Sequence, residues 1–554
     1  MAFTSFAEKS PWMNHFSSPL SKVLACLIFL QALFFSVFIT PLADTPDESG
    51  HYAYVVDLSK GLPLPVLGQV QADGKGGLAS DMWRDWGDDS VTYRVNQMPQ
   101  HPPLYYALAA VPYSISKLLT DDKAVHAHAA RFLSAVAAGL LVWVMFQTLI
   151  SAGLSAQQAL PIAIWLPLLP MMTHISSGIT NDVFLVLMCA LATLYWVKFL
   201  HTQAIRFAYI GAFWLACAGA TKMTAWVLIA AYVGIALFEM RTTFVRWWLH
   251  AVGLSLLAFS TALAWMARNH FLFNNALQVM GSGREPDPAH PGLGMVAFFK
   301  QQPFIEWLAH HTYGLLGFSG YCLTAPNAEV LSQHCSGGKI VTLSSGFSFW
   351  VMLLSLAIIA FIVFIKLMAQ LGLNNTTQPS QQPHSLQSWL AQGLGHFRPV
   401  HALLLLAAVT FALLLNQHFS AKGFRLSDGW NSAMVMQTFG LLFAWSALGL
   451  AAVFLSKRLH VRLWAYGMVL VTLFTLFLFY KSYQEFVDIG ELRGVQGRYL
   501  FPFYPLILVG VGLALREGWL NRWLVSLITA ALVLAHFVAY TGTYIPFFHS
   551  VRLS

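Results

Sequence analysis

The sequence predicts an all-α polytopic membrane protein, and three observations carry that reading. The 554 residues are 57% hydrophobic, with a mean hydropathy of +0.61. Only 10% are charged, against roughly 25% in an ordinary soluble domain. The apolar residues gather into separate runs of about 17 to 25, the length that crosses a hydrocarbon core of about 30 Å as a helix. Such runs must be helical, because lipid offers backbone N–H and C=O groups no other partner. A soluble fold is excluded.

The runs give about thirteen spans, starting near residues 21, 131, 158, 182, 206, 223, 247, 347, 400, 432, 463, 498 and 523. The first, over 20–40, is too long for the apolar region of a signal peptide, and no small-residue cleavage site follows it. It is read as a retained span. The aromatic content of 14%, with 19 Trp, suits side chains anchored at the two membrane interfaces.

Charge sets the orientation. With the N-terminus inside, the short inner turns carry Lys198 with Arg206, Arg241 with Arg246, Lys457 with Arg458 and Arg462, and Arg516 with Arg522, which is the positive-inside pattern. An odd number of spans leaves the C-terminus outside. Two long segments, 42–130 and 268–346, then face outward as loops. The first contains the Asp- and Trp-rich stretch 81–89 and then the apolar stretch 104–119, which is interrupted by Pro112 and preceded by His101-Pro102-Pro103. That pattern predicts a helix lying in the interface. The second loop holds another amphipathic stretch at 296–318.

The inner loop 370–399, rich in Gln, Asn, Ser and Pro, reads as a linker. It separates an N-terminal transmembrane module over 1–369 from a C-terminal one over 400–554. No internal repeat of the transporter kind is visible. The net charge of +8 comes from 31 Lys and Arg scattered among helix ends, so nucleic acid is not a partner. Of the five Cys, Cys26, Cys189 and Cys217 lie in apolar runs as small buried thiols. Cys322 and Cys335 share one polar loop on the expected outer, oxidising side and are predicted to form a disulfide.

Two groups of residues carry chemistry. Directly after the first span come Asp44, Asp47, Glu48, His51 and Tyr52. Asp47 and Glu48 follow Pro46 and fit the first turn of a short helix with Glu48, His51 and Tyr52 on one face. Carboxylates at the mouth of a membrane helix suit a general base, although helix capping alone would also place them there. The second group is cationic: Lys222 in a very short outer turn, Lys422 and Arg425 in another loop, and Lys481, Arg493 and Arg498 near the outer end of the twelfth span. Cations in short outer loops run against the positive-inside tendency. A phosphate at the headgroup level explains them, with snorkelling as the alternative.

Three further features are read more narrowly. Asn181-Asp182 is expected to cap the fourth span. His310 and His311, adjacent on one helix, point about 100° apart and would not share a metal. They are expected to contact substrate or the interface. No HExxH, CxxC, Walker A or GxGxxG motif is present, so zinc, redox and soluble nucleotide-donor sites have nothing to hold them.

Together these residues resemble the GT-C superfamily of membrane glycosyltransferases, which use polyprenyl-phosphate-linked sugars, and most closely an uncharacterised bacterial membrane family within it. The matching pieces run in order along most of the chain. They are Pro46-Asp47-Glu48 with His51-Tyr52, then Gln100-His101-Pro102-Pro103-Leu104-Tyr105-Tyr106, Asn181-Asp182, Thr221-Lys222, and Gly494-Val495-Gln496-Gly497-Arg498-Tyr499. The resemblance implies that Asp47 is the catalytic base on the acceptor hydroxyl, with Asp44 and Glu48 in support. It implies that Lys222 and Arg498, with His51 and His101, hold the donor phosphate, and that Tyr52, His310, His311 and Tyr499 line the substrate.

In the branch that transfers arabinose to lipid A, a Lys-Pro pair stands where this chain has His101-Pro102, so His101 departs from that pattern. Some members use a divalent cation such as Mg or Mn, for which Asp44 with Asp47 or Glu48 would be the ligands. The expected activity is inverting transfer of a sugar from a polyprenyl-phosphate donor to an envelope glycan or lipid acceptor on the outer face of a bacterial cytoplasmic (inner) membrane, with the site toward the periplasm or exterior. Membrane lipids are the remaining partners. Two alternatives stay open: a transporter or flippase of a lipid-linked saccharide, which would place charges near the midplane, and an inactive assembly subunit of an envelope complex.

Overall fold

A computed structural model of the chain describes residues 19–42, 44–61, 63–67, 96–241, 247–279, 459–489, 495–516 and 522–541, with 294–295, 298 and 545 as short islands. The spans expected near 347, 400 and 432, the stretches 81–89 and 296–318 apart from Phe298, and the linker 370–399 lie outside the described residues. So do His310, His311, Cys322, Cys335, Lys422, Arg425 and Arg493.

All regular structure among the described residues is helical. The helices are α1 (Pro19–Phe34), α2 (Glu48–Ser59), α3 (Leu104–Leu119), α4 (Lys123–Ser151), α5 (Ala156–Ala163), α6 (Pro170–Ser176), α7 (Asn181–Thr202), α8 (Ile205–Gly219), α9 (Ala225–Met240), α10 (Trp247–Phe273), α11 (Leu459–Ile489), α12 (Tyr504–Arg516) and α13 (Arg522–Ala539). Among them six stretches are long and apolar enough to cross a membrane: Pro19–Ile39, Lys123–Ser151, Asn181–Thr202, Trp247–Phe273, Ala465–Val487 and Gly497–Arg516. The chain is a multi-pass, all-α membrane protein.

The centre of the bundle is α4, which packs against α1, α3 and α7. At the α1 crossing Gly139 lets the helices approach closely, since a Cβ there would stand 2.8 Å from the Ala25 carbonyl oxygen and 2.8 Å from Phe29 Cβ. Small residues serve this purpose in membranes, where association depends on close packing. α1 ends in a π-helical turn, Phe35–Ile39. It stops there because Thr40 precedes Pro41 and is forced to extended backbone (φ −81°, ψ 113°).

The span expected from residue 158 is not a continuous helix. It is split into α5 and α6 by an irregular stretch containing Pro167, and α6 begins on Pro170. Each proline removes a donor and blocks helix propagation. Non-helical backbone at membrane depth is tolerated where protein satisfies it. Thr173 Oγ1 donates to Pro167 O (3.0 Å), His536 Nδ1 to Leu168 O (3.1 Å) and Tyr540 OH to Pro170 O (2.8 Å). The spans expected from 206 and 223 are the short helices α8 and α9, joined by the turn that carries Lys222.

The stretch 104–119 forms the helix α3, with one face buried and one exposed. Tyr105, Tyr106, Ala109, Ala110, Tyr113 and Ser116 are buried against the bundle, while Leu108, Val111, Ile115, Leu118 and Leu119 stand exposed. An apolar outward stripe at helical spacing suits contact with acyl chains.

One ion pair ties these elements together. Arg131 on α4 is fully buried and uses every N–H of its guanidinium. Nε and Nη2 donate to the two carboxylate oxygens of Glu48 (2.6 and 2.8 Å), Nη1 to Ser36 O (2.7 Å) and Thr40 O (2.9 Å), and Nη2 to Pro41 O (2.6 Å). The last carbonyls of a helix have no intrahelical partner, and Arg131 supplies one for the end of α1.

Breaking a buried pair by removing one partner costs about 3–5 kcal/mol. Arg131→Met should therefore destabilise the protein by about that much, and more than Glu48→Gln, because it also strands three α1-end carbonyls. Thermal unfolding in detergent reads both; equal losses would show that the carbonyl contacts contribute nothing.

Candidate active site

Five segments meet at one end of the bundle: the loop after α1, the 96–103 segment, the α6–α7 loop, the α8–α9 turn and the segment 495–503, whose 3-10 helix Gly497–Phe503 leads into α12. Their approach is close. A Cβ on Gly178 would collide with the Thr45 side chain at 2.1 Å, so only glycine lets the α6–α7 loop lie against the loop bearing the acids. Leu104 N donates to Ala220 O (3.0 Å), and Trp265 Nε1 on α10 donates to Gln100 O (3.2 Å). These bonds fasten the start of α3 to the α8–α9 turn and the 96–103 segment to α10.

The three acids of the first loop do three different things. Glu48, 1% exposed, is held by Arg131, and its Oε1 also accepts from Ile179 N (2.9 Å). Asp44, likewise 1% exposed, faces His174 on α6, with 3.8 Å between Oδ2 and Nε2. Asp47 keeps a side chain 32% exposed. It occupies the N-cap of α2 with a left-handed backbone (φ 60°) and caps nothing through its side chain, a conformation costly for a non-glycine residue and concentrated at functional sites. Oδ1 accepts from Gln97 Nε2 (2.9 Å), and Oδ2 lies 4.0 Å from Arg498 Nη2.

Across from Asp47 is a buried triad. Asp182, in the first turn of α7, accepts from Lys222 Nζ on Oδ1 (2.5 Å) and from Arg498 Nε on Oδ2 (2.8 Å). Arg498 Nη1 donates to Gln496 Oε1 (2.6 Å). The Tyr499 ring lies beside both cations, 4.6 Å from Lys222 Nζ and 5.4 Å from Arg498 Cζ, where its π face adds attraction. Burial pushes the Lys222 ammonium below its ordinary pKa, while the Asp182 charge opposes that shift.

Next to the triad, His51 on α2 bonds Tyr106 OH through Nδ1 (2.8 Å), and Asn181 Nδ2 donates to the same hydroxyl (3.1 Å). The Tyr106 hydroxyl thus joins the α2 imidazole to the start of α7. Tyr54 stacks on Tyr106 with ring centroids 4.1 Å apart and donates to His101 O (3.3 Å). Burial, followed by the Lys222 charge, holds the His51 pKa at about 3 and that of His101 well below its usual value. Both are neutral near neutral pH and bring no charge to an anion.

The structure thus brings Asp47, Lys222, Arg498, His51 and Tyr499 together, with His101 on the same wall. It leaves Tyr52 in the core, edge-on to Tyr113 at 5.8 Å. Asp44, Asp47 and Glu48 aim at different partners, and among the described residues no three His, Cys, Asp or Glu side chains gather as a metal donor set. A shared cation would require Asp44 or Glu48 to leave its present partner.

Two residues at the centre were missed or under-read from sequence. Arg131 stood at the expected start of a span and drew no reading, although its helix begins at Lys123 and places it inside. An ionisable group within a span was the available signal. Asp182 was read as a cap, yet the N-cap of α7 is Thr180, whose hydroxyl accepts from Asp182 N (3.2 Å). The Asp182 carboxylate is left for the cations.

Comparison with known proteins bears on this site directly. Residues 100–265 match the model of the dolichyl-phosphate-mannose-protein mannosyltransferase family. That segment holds His101, Tyr106, Arg131, Asp182 and Lys222, with Asp47 and Arg498 outside it. The match bears out the resemblance to the GT-C membrane glycosyltransferases. Among solved structures, ArnT from Cupriavidus metallidurans in the apo state aligns at 16% identity over 89% of this chain and 77% of its own, with a TM-score of 0.31. The same protein bound to undecaprenyl phosphate aligns at 15% identity over 91% and 79%, with a TM-score of 0.32. Scores of this size do not establish a common arrangement of helices. No curated protein matches the chain significantly.

The neutral histidine at position 51 makes a pH prediction. Its folded pKa of about 3 lies below the unfolded value near 6.5, so between these the unfolded state binds the extra proton. Stability is therefore full above about pH 6.5 and falls as pH drops toward 3. Thermal unfolding followed from about pH 7.5 to 5 should show this loss, and His51→Gln should flatten part of the slope; an unchanged slope would mean that other groups account for it.

Proposed function

We propose that this protein is an inverting glycosyltransferase that moves a sugar from a polyprenyl-phosphate donor to a glycan or lipid acceptor at the outer face of a bacterial cytoplasmic membrane. One observation carries the reading. Of the three acids at the end of α1, Asp47 alone keeps solvent access, and it faces the cation pair Lys222 and Arg498 across the Asp182 carboxylate. A base beside a prearranged anion site is what displacement at a phosphate-bearing carbon needs.

The acceptor hydroxyl oxygen forms its bond to the anomeric carbon as its proton passes to the Asp47 carboxylate. The bond from that carbon to the phosphate oxygen breaks, and the electron pair stays on the departing polyprenyl phosphate. Lys222 and Arg498 stabilise the growing negative charge, and Tyr499 shields both cations from water. Gln97 orients Asp47 through its bond to Oδ1. No cytoplasmic energy source is needed, because the donor phosphate ester carries the activation.

The outer orientation is supported by α9. Lys222 precedes its first residue, while Glu239 near its other end binds Arg462 (2.9 Å) and Tyr466 OH (2.9 Å) of α11. The basic residues expected on the inner side thus lie at the end of α9 opposite the site, as the positive-inside pattern requires.

Purified protein given polyprenyl-phosphate sugars and followed by release of polyprenyl phosphate tests the mechanism. Asp47→Asn should abolish transfer while the protein stays inserted and monodisperse. Lys222→Ala should lower kcat by roughly 10²- to 10³-fold, the usual loss when a donor to developing negative charge is removed. Full activity in Asp47→Asn would remove Asp47 from the mechanism.

A further inference from the structure

The cation pair proposed to hold the donor phosphate is already occupied by a carboxylate of the protein itself. Asp182 gives one oxygen to Lys222 and the other to Arg498, and all three side chains are at most 5% exposed. Its position is fixed independently of the cations: Asn181 next to it bonds Tyr106 OH and Thr221 O (3.3 Å), and Thr180 caps the helix. Formally the buried triad carries two positive charges and one negative charge, a net of +1. In a water-poor site that balance governs which anion is accepted, because uncompensated buried charge is costly.

Building on the donor-phosphate reading above, we infer that Asp182 sets the charge of this site to match a phosphodiester monoanion and to disfavour the phosphomonoester dianion formed from it. The donor, a sugar joined to a polyprenyl phosphate, is a diester with one negative charge. When its glycosidic bond breaks, the leaving polyprenyl phosphate gains a second charge, while the acceptor proton goes to Asp47. Two cations without Asp182 would hold that dianion tightly, and the product would block the site. With Asp182 in place the triad meets the dianion with a net of only one positive charge, and once Asp47, 4.0 Å from Arg498, gives up its proton to water it repels the dianion too, so the product leaves. Asp182 acts through Lys222 and Arg498 and is a positioning residue.

The test compares binding of two lipids to the full-length protein in nanodiscs: polyprenyl phosphate and its methyl ester, which keeps a single charge. Asp182→Asn should bind polyprenyl phosphate at least tenfold more tightly than the natural protein near pH 7.5, with the methyl ester changed far less, and Asp182→Glu should restore the natural ratio. A merely structural role would weaken both lipids together, and that result, or an unchanged ratio, overturns the inference.

The natural protein provides a second reading that does not depend on a variant folding. The second pKa of a phosphomonoester is about 6, so lowering the pH from about 7.5 to 5.5 converts polyprenyl phosphate largely to a monoanion. Its affinity should rise relative to that of the methyl ester, which does not titrate there. The protein groups facing the triad act on both lipids, and any that gain a proton as the pH falls favour the dianion and so oppose the expected rise: Asp47 and His51 from α2, His101 from the 96–103 segment, Tyr106 from α3, Tyr499 before α12, and Lys481, paired to Glu485 at 3.3 Å on α11. A flat or falling ratio overturns the inference. Failure of the natural protein to bind either lipid would instead overturn the donor-phosphate reading.

Discussion

The end of the bundle that carries the candidate site depends on one buried guanidinium. Arg131 reaches from the central helix α4 to the end of α1 and to the start of α2, and its five hydrogen bonds go to three backbone carbonyls and to both oxygens of Glu48. A charge in a membrane bundle is expensive unless it is paired and fully hydrogen-bonded. Meeting that requirement fixes where α1 stops and where the acid loop turns. Glu48 then passes the constraint on through Ile179 N to the α6–α7 loop, which Gly178 allows to lie directly against Thr45.

Because Glu48 is committed to Arg131 and Asp44 faces His174, the loop presents Asp47 on a rigid support. The same logic holds opposite, where Asp182 keeps two buried cations from repelling each other at short range. Glu48 thus supports Asp47 from behind, and Asp182 holds both Lys222 and Arg498 in place. Aromatic rings complete the walls. Tyr106 stacks between Tyr54 and His51, and Tyr499 lies beside both cations, so the charges act in surroundings of low polarisability, where their effect is greatest.

The membrane class and most described spans were legible because they follow from run length and composition, which are local properties. The helix α3 was legible for the same reason: its apolar residues recur at helical spacing on either side of Pro112. The broken stretch of α5 and α6 was not, although Pro161, Pro167 and Pro170 were in view. A proline inside an apolar run permits a kinked helix or an interruption, and which one forms depends on whether groups far along the chain, here His536 and Tyr540, reach the freed carbonyls.

The sequence by itself determined that the chain crosses the membrane repeatedly, that acids follow the first span, and that unexplained cations stand near several span ends. Tertiary structure decided what those charges are for. Asp44, Asp47 and Glu48 are equivalent on paper, since all three follow the same helix within five positions. They part only when Arg131, 83 residues away from Glu48, and Arg498, 316 residues away from Asp182, arrive to claim their partners. Pairing energies act through space and fall off within a few ångströms, so no spacing along the chain could have told the structural acid from the one that stays open to a substrate.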